Sequence, residues 1–201
     1  MIDAMKRSLF RIRGSQKALT GSLAVNGAKN DVLKGLAAAL LANGPVRIEN
    51  VPQIEDVLRA CELIKKLGVR VTRNSSRSFV IDATRIRTHK LDSVIAQSLR
   101  ASILFVAPLL ARLGTASFPH PGGCVIGKRP IDIFLDGWRA MGIKISVTKS
   151  GYNLSIKRLH GCDFTFRTIS HTGTEAMMMT AALAHGMTIL RNAACEPEVV
   201  H

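Results

Sequence analysis

One arrangement of residues recurs three times in this chain and restricts its fold more than any other feature. A small-residue apolar stretch, a glycine and a short β-prone run follow one another at Lys34–Ile48, Ser102–Phe118 and Met177–Leu190. The glycines are Gly44, Gly114 and Gly186, so the spacings (114 − 44 and 186 − 114) are 70 and 72 residues. Each stretch reads as an apolar helix, a glycine stop and a strand. Repeats of this length are supersecondary units that bury their apolar faces against one another.

The first two units continue alike. A proline-containing loop leads to an amphipathic helix, expected over Glu55–Leu67 in unit one and Ile131–Met141 in unit two. Val57, Leu58, Cys61, Ile64 and Leu67 recur at helical spacing, which makes Cys61 a small core residue. Gly68 and Gly142 then precede the strands Val69–Val71 and Ile143–Val147, and further strands at Ser78–Asp82 and Tyr152–Ile156 close each unit. The glycine-to-glycine distance is 24 residues in unit one (68 − 44) and 28 in unit two (142 − 114), with the added length in the loop around Cys124. Unit three reaches Arg191–His201, where its second helix should begin. The chain is therefore expected to be incomplete, with aliphatic surface uncovered on its third unit.

Composition narrows the classes of function. Hydrophobic residues make up 47% of the 201 residues and aromatics only 4%, so a sizeable core is aliphatic. The longest apolar run, Ala101–Ala111, is too short to span a bilayer, and Met1–Gly14 has no apolar signal core; no membrane role and a cytoplasmic location are expected. The four cysteines show no CxxC pairing, which argues against a zinc site or disulfide framework. The net charge of +14 suits polyanionic ligands, but with one Trp and one Tyr there is little for bases to stack on, and nucleic acid is not the expected partner.

The lengthened loop concentrates the chemistry. Pro121–Pro130 holds Cys124 among Gly122, Gly123 and Gly127, beside Lys128 and Arg129. Glycines allow the backbone to approach a ligand closely, cations lower a neighbouring thiol's pKa, and such a loop suits phosphate.

Four motifs in order carry a resemblance to the enolpyruvyl transferase family. They are Asn26–Asn30 (NGAKN), Leu99–Ser102 (LRAS), Pro121–Asp132 (PGGCVIGKRPID) and Asn192–Glu198 (NAACEPE). The resemblance covers about residues 8 to 201 and is to the N-terminal half of the branch that acts on UDP-N-acetylglucosamine. It implies an inside-out α/β barrel built from βαβαββ units, with the third unit truncated here. Residues 1–20 would form an N-terminal segment packing on a missing C-terminal domain, and residues 21–201 an incomplete enolpyruvyl transferase domain. The implied reaction moves the enolpyruvyl group of phosphoenolpyruvate to the 3′-hydroxyl of UDP-N-acetylglucosamine in peptidoglycan synthesis, without metal or organic cofactor.

Roles follow by position from the resemblance. Lys29 would grip the phosphoenolpyruvate phosphate and Asn30 would bond the sugar, with a helix N-cap as its structural alternative. Cys124 would deliver a proton to the methylene carbon, Arg129 would bind phosphate or carboxylate bidentately, and Arg100 would belong to the same anionic-ligand wall. Ser170, His171, Thr172 and Gly173 would touch the diphosphate and uridine. Phe134 and Thr168 depart from the family pattern at the nucleotide end. The family's catalytic aspartate has no counterpart here; Asp31 and Asp132 read as capping or structural groups, so the 201-residue chain alone is expected to be inactive. The alternatives are a relative for another sugar nucleotide and a non-catalytic sugar-nucleotide-binding remnant.

Overall fold

The computed structural model describes residues 10–14, 18, 20–120 and 131–200. Unit one comprises α1 (Lys29–Ala38), which tightens into a 3₁₀ turn at Ala39–Leu41, then β1 (Pro45–Ile48), α2 (Glu55–Lys66), β2 (Arg70–Ser75) and β3 (Ser78–Asp82). Unit two comprises α3 (Ser93–Ser98), a 3₁₀ turn at Arg100–Phe105, α4 (Val106–Leu113), β4 (Thr115–Pro119), α5 (Asp132–Ala140), β5 (Lys144–Thr148) and β6 (Gly151–Ser155). Unit three comprises β7 (Asp163–Thr165), α6 (His171–Ala181), β8 (Ile189–Arg191) and α7 (Pro197–Val200).

The repeat read from the sequence is a repeat of structure. Units one and two each form an antiparallel three-stranded sheet with the last strand in the middle, in the orders β1-β3-β2 and β4-β6-β5. Ile81 of β3 sits between Val46 and Val71, and Leu154 of β6 between Ala116 and Ile145. Both central residues are buried, because alternate side chains of one strand point toward the helices. Helices fill the middle: α4 packs on α6, α5 on α6, and α1 on α2. Leu36, Leu40, Leu109 and Met177 on these helices are fully buried, while the outer strands β2 and β5 are mostly exposed. Helices inside and sheets outside is the inverse of the usual layering.

Two polar contacts tie the units together. Arg112 of α4 donates to the carbonyls of Leu40 (2.9 Å) and Ala83 (2.5 Å), closing the end of α1 and the exit of β3. Trp138 of α5 donates its indole N–H to Thr180 Oγ1 (3.1 Å), and Thr180 donates to the Ala176 carbonyl (2.8 Å). All these groups are satisfied, as buried polar groups must be.

Several expectations are corrected. Gly44 does not stop a helix: α1 and its 3₁₀ turn are over by Leu41, and Gly44 is not in the left-handed region. Gly114 does cap α4, at φ 66, whereas Gly186, at φ 85, lies in a turn after α6 has ended at Ala181. The leading strand of the βαβαββ pattern is a full strand only in unit three, where β7 pairs with β8 in parallel. In unit two it shrinks to a parallel bridge between Lys90 and Ser117, and among the described residues unit one has none. Helix α3 was not anticipated. Met178, Leu183, Met187 and Val200 of unit three are exposed.

Candidate functional site

Lys29 is the first residue of α1. Its ammonium forms an ion pair with Asp56 in the first turn of α2, while its side chain stays more than half exposed. The preceding loop is pressed against unit one's own turn: Gly27 leaves no room for a Cβ against the Asn50 carbonyl, and Asn50 takes a left-handed φ of 55. Asn30 is exposed in the first turn of α1 and is not a cap. The cap position is Ala28, with no side-chain bond, because the helix starts earlier than the apolar pattern alone indicates. Neither Asp31 nor Asp132 makes a capping hydrogen bond; each occupies the first turn of its helix, where negative charge meets the positive end of the dipole.

Ser170, His171, Thr172 and Gly173 form the start of α6. Ser170 is the N-cap and accepts from the Gly173 N–H at 3.1 Å. His171 Nε2 lies 2.7 Å from Glu196 Oε1, and Nδ1 lies 3.8 Å from Glu198 Oε1. The Asn192–Glu198 motif is folded onto this helix start. Asn192, at φ 52, donates to the Phe166 carbonyl (2.9 Å), and the Ala194 N–H donates to the buried Thr174 hydroxyl (3.0 Å).

Units one and three build the same device. His171 is the first residue of α6 as Lys29 is of α1, and both differences (171 − 29 and 198 − 56) are 142 residues. The left-handed pair Asn50 and Asn192 has the same offset (192 − 50). In each unit a cationic or protonatable side chain at a helix start faces an acid from the next helix. Helix N-termini favour anions, so an arriving anion would compete with Asp56 for Lys29.

Arg100 opens the 3₁₀ turn of unit two and is exposed, with no ion pair among the described residues. The turn it opens packs against α1, α2 and α6. The elements carrying Lys29, Asn30, Arg100 and Ser170–Gly173 therefore form one packed group. Lys34 of α1 and Glu175 of α6 pin it from within, with Nζ and Oε1 2.5 Å apart and side chains only 14% and 7% exposed. Neither Glu175 oxygen receives a well-aligned hydrogen bond, and Lys34 is the cation that meets the carboxylate at contact distance. Burial pushes the Glu175 carboxyl up, against the opposing pull of Lys34 and then His171. Cys124 and Arg129 lie outside the described residues.

Sequence reasoning missed Asp56, Lys34, Glu175, Glu196 and Glu198 as members of this group. The repeat offset was the available signal for Asp56 and Glu198; the Lys34–Glu175 contact had none. Phe134, read as a departure at the nucleotide end, is buried in α5 with its ring 6.0 Å from that of Trp138. Thr168 is exposed just before the Ser170 cap.

Comparison with known proteins follows the same lines. The sequence model of the EPSP synthase (3-phosphoshikimate 1-carboxyvinyltransferase) family matches residues 14–201. A UDP-N-acetylglucosamine 1-carboxyvinyltransferase of Coxiella burnetii is 42% identical over 182 residues, covering 90% of this chain and 42% of that protein. One of Cellvibrio japonicus is 43% identical over 193 residues, covering 95% and 46%. The chain thus spans less than half the length of these curated relatives. The enolpyruvyl transferase NikO of Streptomyces tendae shares the fold at a TM-score of 0.78 and 22% identity, over 92% of this chain and 43% of that one. EPSP synthase of Acinetobacter baumannii does so at 0.71 and 16%, over 90% and 42%. With its repeated units, inverted layering and matching motifs, the chain belongs to the EPSP synthase family of enolpyruvyl transferases.

Proposed function

We propose that this chain supplies one wall of an enzyme that transfers the enolpyruvyl group of phosphoenolpyruvate to the 3′-hydroxyl of UDP-N-acetylglucosamine, in the cytoplasm, for peptidoglycan synthesis. The observation that carries the proposal is 42% identity to enzymes so named across 90% of the chain. Lys29 binds the phosphate of phosphoenolpyruvate, leaving Asp56 as it does so. Arg100 and Arg129 complete the anionic wall, and Asn30 orients the sugar. Ser170, His171, Thr172 and Gly173 at the start of α6 hold the nucleotide diphosphate. In the addition step the 3′-hydroxyl gives its proton to a base on the second wall as its oxygen bonds to C2, and Cys124 gives its thiol proton to C3. In the elimination step C3 returns a proton to the Cys124 thiolate, the C2–C3 double bond re-forms as the C2–phosphate oxygen bond breaks, and phosphate leaves with the proton held by that base.

The second wall comes from a further domain. Phe10 and Ile12, each about nine-tenths exposed, support assigning residues 1–20 to contact with that domain. Orientation and charge stabilisation need groups from both sides of a cleft, so residues 1–201 alone should not turn over.

A chimera tests the reading. Residues 20–201 replace the matching part of the Coxiella burnetii relative, and phosphate release is followed with phosphoenolpyruvate and UDP-N-acetylglucosamine. Turnover that falls by about tenfold to a hundredfold on Lys29→Ala supports it, as expected for loss of a charge-assisted contact of about 1.5–3 kcal/mol. A folded chimera that binds the sugar nucleotide without releasing phosphate would point to a binding remnant. Turnover with a different nucleotide sugar alone would reassign the acceptor.

A further inference from the structure

A cavity of about 650 Å³ opens at the C-terminal end of α2, and its wall includes Lys65, Arg70, Asp82, Thr84, Arg85 and Arg87. Four cations face one carboxylate. That carboxylate is already engaged: the Thr84 N–H and hydroxyl both donate to Asp82 Oδ1, at 3.1 and 2.7 Å, and Arg70 lies 3.8 Å from Oδ2. Among the described residues, Lys65, Arg85 and Arg87 have no carboxylate within ion-pair distance. Concentrating unpaired cations around a concavity costs self-repulsion, which an anion would relieve.

The wall is held in place by backbone. The Arg87 N–H donates to the Leu67 carbonyl at 2.8 Å, docking the segment after β3 onto the end of α2. Gly68, at φ 92, makes room for the stem of Arg87: a Cβ there would stand 2.6 Å from Arg87 Cγ. Arg112 holds the other side of the segment through the Ala83 carbonyl. Unit two offers an internal comparison. Its corresponding corner, at Gly142 (φ 84), is approached by the apolar Ile156, whose Cδ1 lies 3.7 Å from where a Cβ would stand. The repeat accepts an aliphatic plug at this corner, and unit one has arginine instead.

We infer that this cavity is a second anion site, distinct from the Lys29 site, that takes an oligophosphate or an ester bearing at least two phosphate groups. The size of the cavity is that of a site for a nucleotide-sized ligand rather than for one phosphate. Its wall has no aromatic side chain and one buried aliphatic, Val69, so recognition rests on charge and not on stacking with a base. Guanidinium forks suit phosphate oxygens in bidentate geometry. Asp56 and Lys65 stand near opposite ends of α2, about 14 Å apart along the axis, so the two sites share a helix without sharing a residue.

Titration of inorganic triphosphate into the 201-residue chain, read by calorimetry and by amide chemical shifts, tests the inference. Saturable binding at this cavity is expected, reported by shifts at residues 67–69 and 84–87 apart from any at Lys29 or residues 170–173. The double substitution Arg85→Gln/Arg87→Gln should weaken it by about tenfold or more, and Lys29→Ala should leave it unchanged. Absence of binding, shifts scattered over the cationic surface, or loss in Lys29→Ala with retention in the double variant would each overturn it. If the double variant melts early, Lys65→Gln is read instead: several-fold weaker binding supports the site, and an unchanged affinity sinks it.

Discussion

Replacing Lys34 with methionine should be one of the most damaging single changes that leaves the apolar core intact. Glu175 is buried, neither of its oxygens receives a well-aligned hydrogen bond, and Lys34 at 2.5 Å is the counter-charge within contact. Methionine keeps most of the lysine's volume but strands an ionised carboxylate inside the protein. Breaking a buried pair in this way costs about 3–5 kcal/mol, a large share of the ~5–15 kcal/mol that holds a domain together. At about 2–4 °C per kcal/mol for a chain of this size, the melting temperature should fall by about 6–20 °C.

The sign of the pH effect is fixed by the direction of the Glu175 shift. A carboxyl raised in the folded state contributes stability that is present below its unfolded pKa and lost as pH rises through its folded value. Without Lys34 the carboxyl rises further. The deficit of Lys34→Met against the parent should therefore grow as pH rises above the ordinary carboxylate range and shrink as pH falls back toward it. Subtracting the parent matters, because Asp82 (held low by Thr84) and Asp163 (held low by Arg191) act oppositely, losing their contribution as pH falls. Glu175→Gln should also destabilise, because it leaves the buried Lys34 ammonium unpaired, and adding it to Lys34→Met should restore most of the loss. Urea denaturation of the four proteins at several pH values is the assay. A deficit independent of pH, or a double variant no better than Lys34→Met, would refute the reasoning.

Two further predictions concern a thiol and a glycine. Under limited alkylation with peptide mapping, Cys124 should label fastest and Cys61 slowest, since burial raises the Cys61 thiol; equal rates would deny Cys124 a special setting. Gly151→Ala should destabilise by about 1–3 kcal/mol, because φ is 149 and the Phe118 carbonyl fills the space where a Cβ would stand; an unchanged urea midpoint would show that the hairpin adjusts freely.

The sequence exposed the units because their punctuation is local. Gly68, Gly114, Gly142 and Gly186 all adopt positive φ, a need that only the residue type itself has to meet. Strand β3 was legible to the residue because alternation at Ser78–Asp82 matches its burial. Helix α3 was missed although Asp92 caps it by accepting from the Val94 and Ile95 N–H groups, for six residues carry too little periodicity to stand out. The ion pairs of the candidate site were hidden for another reason. Lys29 meets Asp56 and Lys34 meets Glu175 only because separate helices pack together, and no local pattern records that. Phe134 shows the converse: a position read for ligand contact is occupied by a ring that belongs to the core.

The latch between Lys34 and Glu175 also sets a timetable for the chain's birth. Lys34 leaves the ribosome 141 residues ahead of its partner (175 − 34), which at about 5–20 residues per second is a wait of about 7–28 s. During that interval the first unit can pair its strands, but the face of α1 that carries Lys34 has nothing to close on. Contacts between residues so far apart in sequence form late and slow the search for the native state. The nascent protein therefore carries a solvated ammonium at the rim of an unfinished interior, a charge that discourages wrong apolar partners until α6 arrives with the carboxylate that fits.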